Sequence, residues 1–103
     1  MVSKVFTVYD SKAEAYLTPF LMRTKSEAIR GFQDVCNDDK SNFCKYAEDY
    51  TLFEIGEFDD SIGTYTMYAS KVSLGCAIEY KRMDALSIPP KMPTGNSKVL
   101  NLS

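Results

Sequence analysis

The sequence predicts an α+β domain in which one main helix packs on one face of an antiparallel sheet, in the element order β-β-α-β-β. Three observations predict this: strand-like runs of β-branched and aromatic residues, one capped amphipathic segment, and a hairpin turn rich in Asp, Ser and Gly. The chain has 103 residues, 45% of them hydrophobic and 25% charged, which suits a single domain. We assign residues 1–86 to that domain and residues 87–103 to a flexible tail.

The first hairpin is predicted from two β-rich runs near the start of the chain. Residues 4–9 read Lys-Val-Phe-Thr-Val-Tyr, a composition typical of a strand. Alternation places two sets of side chains on opposite faces: Val5, Thr7 and Tyr9 on one, Phe6 and Val8 on the other. A second strand is expected over residues 15–23. Because Pro19 lies inside it and cannot donate to a ladder, that strand should lie at an edge or be broken by a bulge.

The main helix is predicted from its cap and its apolar stripe. Residues 24–27 fit the S/T-x-x-E capping box, with Thr24 as N-cap and Glu27 reaching back to its amide. The helix is expected to end near Asn37. Its apolar side chains recur at helical spacing: Ala28, Ile29, Phe32, Val35 and Cys36. Such a stripe normally packs on the core; the alternative is that Ile29 and Phe32 line a ligand pocket.

A second hairpin is predicted after the helix. Residues 50–58 form its first strand, residues 59–63 the turn and residues 64–68 the return strand. Gly56 inside the first strand indicates a bulge or a close backbone approach. Two segments stay open: residues 43–49 suit a short helical turn or a loop, and residues 70–82 suit a short helix or a strand.

The cysteines, the chain start and the tail bear on localisation. The three cysteines are odd in number and form no C-x-x-C, which favours a reducing compartment with free thiols. Cys36 is expected to be a small buried hydrophobe. Met1 leads directly into a strand-like run, so we expect no secretory segment, and no apolar run approaches the roughly 18 residues that span a membrane. Prolines, Gly and Asn from Ser87 onward predict the flexible tail.

Residues that carry catalysis are missing from the composition. The sequence has no histidine, which excludes His-based acid–base catalysis and imidazole metal ligands. It also contains no nucleotide-binding glycine loop. We therefore expect neither an enzyme nor a cofactor. The carboxylates of Glu54, Glu57, Asp59 and Asp60 suggest a divalent ion, but without a bulge Glu54 and Glu57 point to opposite faces, so solvated hairpin charges explain them better.

Charge and aromatic residues near the start of the chain suggest a nucleic-acid surface. Residues 1–33 carry a net charge of +2, whereas residues 34–60 carry −7 and residues 61–103 carry +3. Cations that follow a phosphate backbone and rings that stack on bases together make a single-strand binding surface. The candidate residues are Lys4, Tyr9, Lys12, Tyr16, Phe20, Arg23, Lys25 and Arg30. The net charge of −2 opposes this hypothesis, and from the residues alone simple packing explains the rings better.

Several sequence blocks, in the same order, resemble the small non-structural protein of the gokushoviruses, which are tailless single-stranded-DNA phages. The blocks are residues 9–16 (YDSKAEAY) with Pro19-Phe20, residues 28–30, residues 52–60 (LFEIGEFDD) with Gly63, residues 73–75 and residues 77–79. The resemblance covers roughly residues 4–81 and leaves out the tail from Met83. It implies a phage product made in the host bacterial cytoplasm, often regarded as DNA-binding and active in genome replication. It supplies no catalytic residue or binding motif.

Two functional hypotheses follow. The first is a homodimeric accessory protein that binds single-stranded DNA during viral genome replication or packaging. It depends on the basic and aromatic first hairpin together with the resemblance. The alternative is a protein-binding module that acts on the phage replication initiator or on a host factor. It depends on the acidic stretch 34–60 and on seven tyrosines and six phenylalanines, more rings than a single helix covers.

Overall fold

A computed structural model describes residues 1–81 of the chain. The strands are β1 (Val2–Asp10), β2 (Ala15–Tyr16), β3 (Phe20–Met22), β4 (Tyr50–Asp59) and β5 (Thr64–Cys76). The helices are α1 (Lys25–Cys36) and α2 (Asn42–Lys45), followed by a 3-10 turn (Ala47–Asp49), and residues 77–81 are helical. The α+β class agrees with the prediction, although the order is richer than β-β-α-β-β. The predicted domain end at residue 86 and the flexible tail lie outside the described residues.

The sheet is antiparallel and has the strand order β2-β1-β4-β5, with β3 also paired to β1. The predicted second strand is interrupted, as Pro19 indicated. Its first part pairs Tyr16 with Tyr9, and its second part pairs Leu21 with Val5. Between them the Leu17 amide donates to the Val8 carbonyl over 2.8 Å. One edge of β1 is therefore covered by two short strands, because proline has no amide to continue the ladder.

The helix α1 begins at the predicted cap. The Thr24 hydroxyl accepts a hydrogen bond from the Glu27 amide over 3.1 Å, which satisfies one free donor of the first turn. Of the predicted apolar stripe, Ala28, Phe32 and Cys36 are buried. The prediction was wrong for Val35, which is 41% exposed. The buried residues recur every four positions, so the contact with the sheet is narrower than the stripe.

The core lies between α1 and one face of the sheet. Phe6, Val8 and Leu52 come from the two central strands and meet the buried residues of α1. The side chain of Cys36 is fully buried there, as predicted, and burial raises the pKa of its thiol to about 12. The segment 43–49 forms both a short helix and a turn, and through Phe43 and Ala47 it closes one end of this core.

A bulge in β4 changes the direction of its carboxylates. Phe6 pairs with Glu54 but Val5 pairs with Gly56, so Ile55 is an extra residue on β4. As a result Glu54 and Glu57 lie on the same face, whereas an unbroken strand would separate them. Gly56 also permits a close approach, since a Cβ atom there would lie 2.7 Å from the Thr66 carbonyl oxygen.

The strand β5 is much longer than the predicted return strand 64–68 and runs to Cys76. Residues 68–71 form a second irregularity, lying opposite Ile55 between the Met67 and Val72 pairs. Both predicted alternatives for residues 70–82 hold in part, because the strand gives way to helix at residue 77. At this junction Gly75 has a φ of +121° and lies against the Tyr80 ring. The Tyr80 hydroxyl donates to the Leu74 carbonyl.

Candidate nucleic-acid interface

The two faces of the sheet differ in what covers them. The face that carries Phe6, Val8 and Leu52 packs against α1. The alternation of side chains along each strand, read with the pairing register, assigns another set to the opposite face. We call it the open face, and its members are Val5, Thr7, Tyr9, Tyr16, Leu21, Phe53, Phe58, Tyr65, Met67 and Lys71. The helix-side core within residues 1–81 includes none of them.

Three rings cluster at one end of the open face, and we call them the aromatic platform: Tyr9, Tyr16 and Phe53. The ring centroids of Tyr9 and Tyr16 lie 4.7 Å apart, and those of Tyr16 and Phe53 lie 6.1 Å apart. The side chain of Tyr16 is 47% exposed. The Lys71 ammonium lies 5.3 Å from the Tyr16 ring centroid, within cation–π range. The platform therefore combines accessible ring surface with a cation.

The reversal between β1 and β2 builds this platform. The Asp10 carboxylate accepts hydrogen bonds from the amides of Lys12 and Ala13 over 3.0 and 3.3 Å, an Asx turn. Glu14 closes the turn with a φ of 55°. This tight reversal brings Tyr16 directly opposite Tyr9. It also leaves the Lys12 side chain exposed at the same end of the sheet.

Of the predicted site residues, the structure brings Tyr9 and Tyr16 together and places Lys12 beyond them at the turn. It places Phe20 elsewhere: the Phe20 ring stacks on Phe6 with centroids 5.7 Å apart and packs against the helix-side core. Phe20 pairs with Phe6 in the register, so it shares the face that α1 covers. The three predicted rings are therefore divided between the two faces.

The predicted cation Lys4 lies among carboxylates. Its ammonium is 3.5 Å from Glu54 Oε2 and 3.6 Å from Glu57 Oε2, a pairing that the β4 bulge makes possible. The Glu54 carboxylate raises the pKa of Lys4 above its usual value. The Tyr68 hydroxyl donates to Glu54 over 2.5 Å, which raises the pKa of Tyr68. The Lys4 ammonium is therefore already paired with two carboxylates, whose negative charges oppose the approach of a phosphate.

The remaining predicted cations are exposed: Arg23 lies just before α1, Lys25 at its first residue and Arg30 in its middle. Since α1 packs on the covered face, these cations do not flank the aromatic platform. The sequence-predicted site thus divides into ring residues on the open face and cations beside the helix. In the described part of the chain, no group of three Cys, Asp or Glu side chains is arranged to hold a metal ion.

The sequence patterns did not predict two members of the open-face site, Phe53 and Lys71. The alternation of residues 50–58 places Phe53 and Leu52 on opposite faces of the sheet. Phe53 comes near Tyr16 only because β4 pairs with β1. Lys71 lies in the irregular part of β5, a segment whose conformation the sequence left open. No local pattern carried the signal for either contact.

Comparison with known proteins agrees with the blocks singled out in the sequence. The family model described as "Phage ORF5 protein" matches residues 3–80. Protein ORF5 of Chlamydia phage 1, a gokushovirus, is 38% identical over 64 residues, covering 58% of this chain and 67% of the relative. No solved structure matches the chain. Within residues 1–81, no helix is long and apolar enough to cross a bilayer. The resemblance is confirmed, and the chain belongs to the Phage ORF5 protein family.

Proposed function

We propose that this phage protein binds single-stranded DNA on the open face of its sheet, as an accessory to viral genome replication or packaging. One observation carries the proposal: the aromatic platform, with Tyr16 half exposed and Lys71 over its ring. Rings on an uncovered sheet face stack on successive bases without sequence preference, and nearby cations contact the backbone. The phage origin of the family makes single-stranded DNA the polymer that fits this chemistry.

The contact between Lys71 and Tyr16 does not block the platform. Both side chains are exposed, and an exposed cation–π contact contributes only about 0.5–1 kcal/mol. A base that stacks on Tyr16 gains about 1–3 kcal/mol, which is enough to displace the ammonium. The displaced ammonium can then contact a phosphate of the same strand. Lys71 thus contacts the Tyr16 ring without DNA and a phosphate when DNA is bound.

The net charge of −2 does not rule out the proposal, because the charge is unevenly placed. Glu54 and Glu57 lie on the covered face with Lys4, and Asp59 and Asp60 lie at the hairpin end with the chain's amino group. These carboxylates are separated from the platform by the sheet or by its length. A strand at the platform is distant from these four carboxylates, but it lies near Asp10 and Glu14 at the β1–β2 reversal, so the expected affinity is modest.

The Lys71→Gln variant tests the phosphate contact. We expect weaker binding of fluorescent oligothymidine, because one ammonium is lost. We also expect the slope of log affinity against log salt to become about 0.7 shallower, the value for one phosphate contact with a single strand. Fluorescence anisotropy at a series of salt concentrations measures both quantities.

The matched comparison is a variant with Arg23→Gln, Lys25→Gln and Arg30→Gln, which removes the cations beside α1. On the proposal it binds nearly as the parent does, apart from a small general loss from the lower net charge. If this variant loses binding and Lys71→Gln does not, the strand lies along the helix. If folded parent protein binds no oligothymidine at low salt, the proposal fails.

A second candidate function, protein binding through self-association, is favoured by the other end of the open face. Tyr65 and Met67 of the edge strand β5 are 56% and 52% exposed there, and Leu21 of β3, at the opposite edge of the sheet, is 40% exposed. In the described sheet β5 has β4 as its one neighbour, so its outer edge is available to pair. A second copy of the chain presents the same apolar patch and the same edge, as a two-fold dimer requires.

The Met67→Lys variant tests this dimer. Met67 is exposed in the single chain, so the charge should not unfold it, but it would be costly inside a subunit interface. Sedimentation equilibrium is expected to show a dimer for the parent and a monomer for the variant. The control is Ile62→Lys in the hairpin turn, 70% exposed, which should stay dimeric. A parent that sediments as a monomer at all concentrations would remove this candidate.

A further inference from the structure

A polar cavity lies at the end of the sheet where β1 finishes. Its volume is 420 Å³, and its walls include three lysines from three separate parts of the chain. Lys12 comes from the turn between β1 and β2, Lys45 from the last residue of α2, and Lys81 from the helical residues 77–81. Distant segments of the chain thus bring three cations to one concave surface.

None of these three lysines forms an ion pair within the described part of the chain. Ion pairs closer than 4.0 Å among residues 1–81 involve the chain's amino group and Lys4, but none of these three lysines. Lys81 is nevertheless held in place, because its ammonium donates to the Cys44 carbonyl over 3.1 Å. A carbonyl fixes the position of the ammonium without cancelling its charge, so the cavity keeps its cationic character.

The cavity adjoins the end of the aromatic platform. The amide of Ser11 donates to the Asp49 carbonyl over 2.9 Å, which ties the turn after Tyr9 to the cavity wall. Lys12 follows immediately, while Tyr9 and Tyr16 pair at the same end of β1. Ala47 and Ile78 of the cavity wall pack on the helix-side core. A strand that leaves the platform must therefore turn round the end of the sheet at Lys12 to reach Lys45 and Lys81.

We propose that this cavity binds a phosphate group, and that the phosphate belongs to the nucleic-acid strand held on the open face. The second clause rests on the proposed function, whereas phosphate binding itself does not. Lysine ammoniums act as mobile point charges toward phosphate, and three of them provide donors from several directions. Two wall residues, Glu48 and Asp49, oppose an anion, which leaves an excess of one positive charge among the ionisable wall residues.

Because Glu48 and Asp49 repel a phosphate, removal of one of these charges should strengthen binding. Glu48 is exposed, and its side chain repels a phosphate in the cavity. The Glu48→Gln variant is therefore expected to bind oligothymidine several-fold more tightly than the parent. The variant with Lys12→Gln, Lys45→Gln and Lys81→Gln is expected to bind about tenfold more weakly, since up to three phosphate contacts are lost. If the cavity has no phosphate role, the triple lysine variant should lose no more affinity than the variant with Arg23→Gln, Lys25→Gln and Arg30→Gln, and Glu48→Gln should bind nearly as the parent does.

The deciding experiment follows the amide signals of the ¹⁵N-labelled full chain by NMR during two titrations. Inorganic phosphate, compared with chloride at equal ionic strength, is expected to shift residues 44–49 and 81 and to leave Tyr16 and Phe53 unmoved. Oligothymidine is expected to shift the cavity and the platform together. Oligonucleotides with and without a 5′-phosphate are then compared. If the cavity binds a terminal phosphate, the 5′-phosphorylated oligonucleotide binds more tightly. If it binds an internal phosphate, the two oligonucleotides bind equally.

The two titrations separate phosphate binding in the cavity from strand binding on the platform. Cavity shifts with inorganic phosphate but none with oligothymidine would support the phosphate site and overturn both its link to the strand and the proposed function. Platform shifts with oligothymidine, while the cavity stays unmoved by either probe, would overturn the phosphate site and leave the proposed function standing. Loss of the phosphate shifts in the folded triple lysine variant would support the phosphate site, and phosphate shifts that persist in that variant would overturn it.

Discussion

Replacement of Leu52 by alanine is expected to lower the free energy of unfolding by about 2–5 kcal/mol. The side chain of Leu52 is fully buried at the centre of the core, between the central strands and α1. The hydrogen-bonded ladders on both sides of β4 hold the backbone in place, so the cavity left by the truncation cannot close. Single domains are stable by only about 5–15 kcal/mol, so this loss is large.

Urea unfolding followed by circular dichroism measures the effect of Leu52→Ala. The control is Ile62→Ala in the hairpin turn, where the side chain is 70% exposed and the change should stay within about 0.5 kcal/mol. Equal losses for the two variants would contradict the position of the core. A loss at Leu52 alone supports the packing of α1 on this face, and therefore the assignment of the opposite face as open.

The second large effect is expected on DNA binding. Replacement of Tyr16 by alanine should raise the Kd for oligothymidine by roughly 5- to 150-fold, because a stacked ring contributes about 1–3 kcal/mol per base. Tyr16 is the most exposed ring of the platform, at 47%, and it contacts both Tyr9 and Phe53. Fluorescence anisotropy at low salt gives the Kd.

Two controls separate stacking from other roles of Tyr16. The Tyr16→Phe variant keeps the ring and should bind nearly as the parent does. The Tyr65→Ala variant removes a ring that is 56% exposed at the far end of the same face, where we place no base. If Tyr16→Phe binds as weakly as Tyr16→Ala, the hydroxyl matters and the stacking role is wrong. If Tyr65→Ala is as damaging as Tyr16→Ala, the platform has no special part in binding.

Local signals in the sequence predicted much of the fold. The Thr24 cap, the break at Pro19 and the close approach at Gly56 each follow from the chemistry of a few adjacent residues, and the structure contains all three. The hairpin turn before Gly63 follows in the same way, with Gly63 in the left-handed region at a φ of 66°. Such features depend on backbone donors and steric limits that act within a few residues.

The arrangement of the candidate site could not be predicted in the same way. The bulge at Ile55 gave Glu54 and Glu57 a common face, and that turned the predicted phosphate ligand Lys4 into an ion-pair partner. Likewise, Phe53 joins Tyr16 only through the pairing of β4 with β1. Register is set by the whole sheet, and a slip of one residue exchanges the faces, so local patterns leave it undetermined.

The division of the predicted site residues has a functional consequence. Cations beside α1 and rings on the open face cannot serve one strand that follows a straight path, since the sheet separates them. The open face has its own cation, Lys71 above Tyr16, and the lysine cavity lies beyond the turn at the same end of the sheet. On the proposed function, the binding surface of this chain has rings and cations as neighbours, and the cations beside α1 lie outside it.

The most direct test of the open face is an NMR map of the binding surface. The ¹⁵N- and ¹³C-labelled chain is titrated with oligothymidine at low salt, and the aromatic ring signals are assigned. We expect the ring signals of Tyr9, Tyr16 and Phe53 to shift upfield with a common saturation curve, as stacking requires, while Phe6 and Phe32 in the core stay in place. Unmoved platform rings with shifts confined to the start of α1, or no shifts from folded protein, would contradict the account.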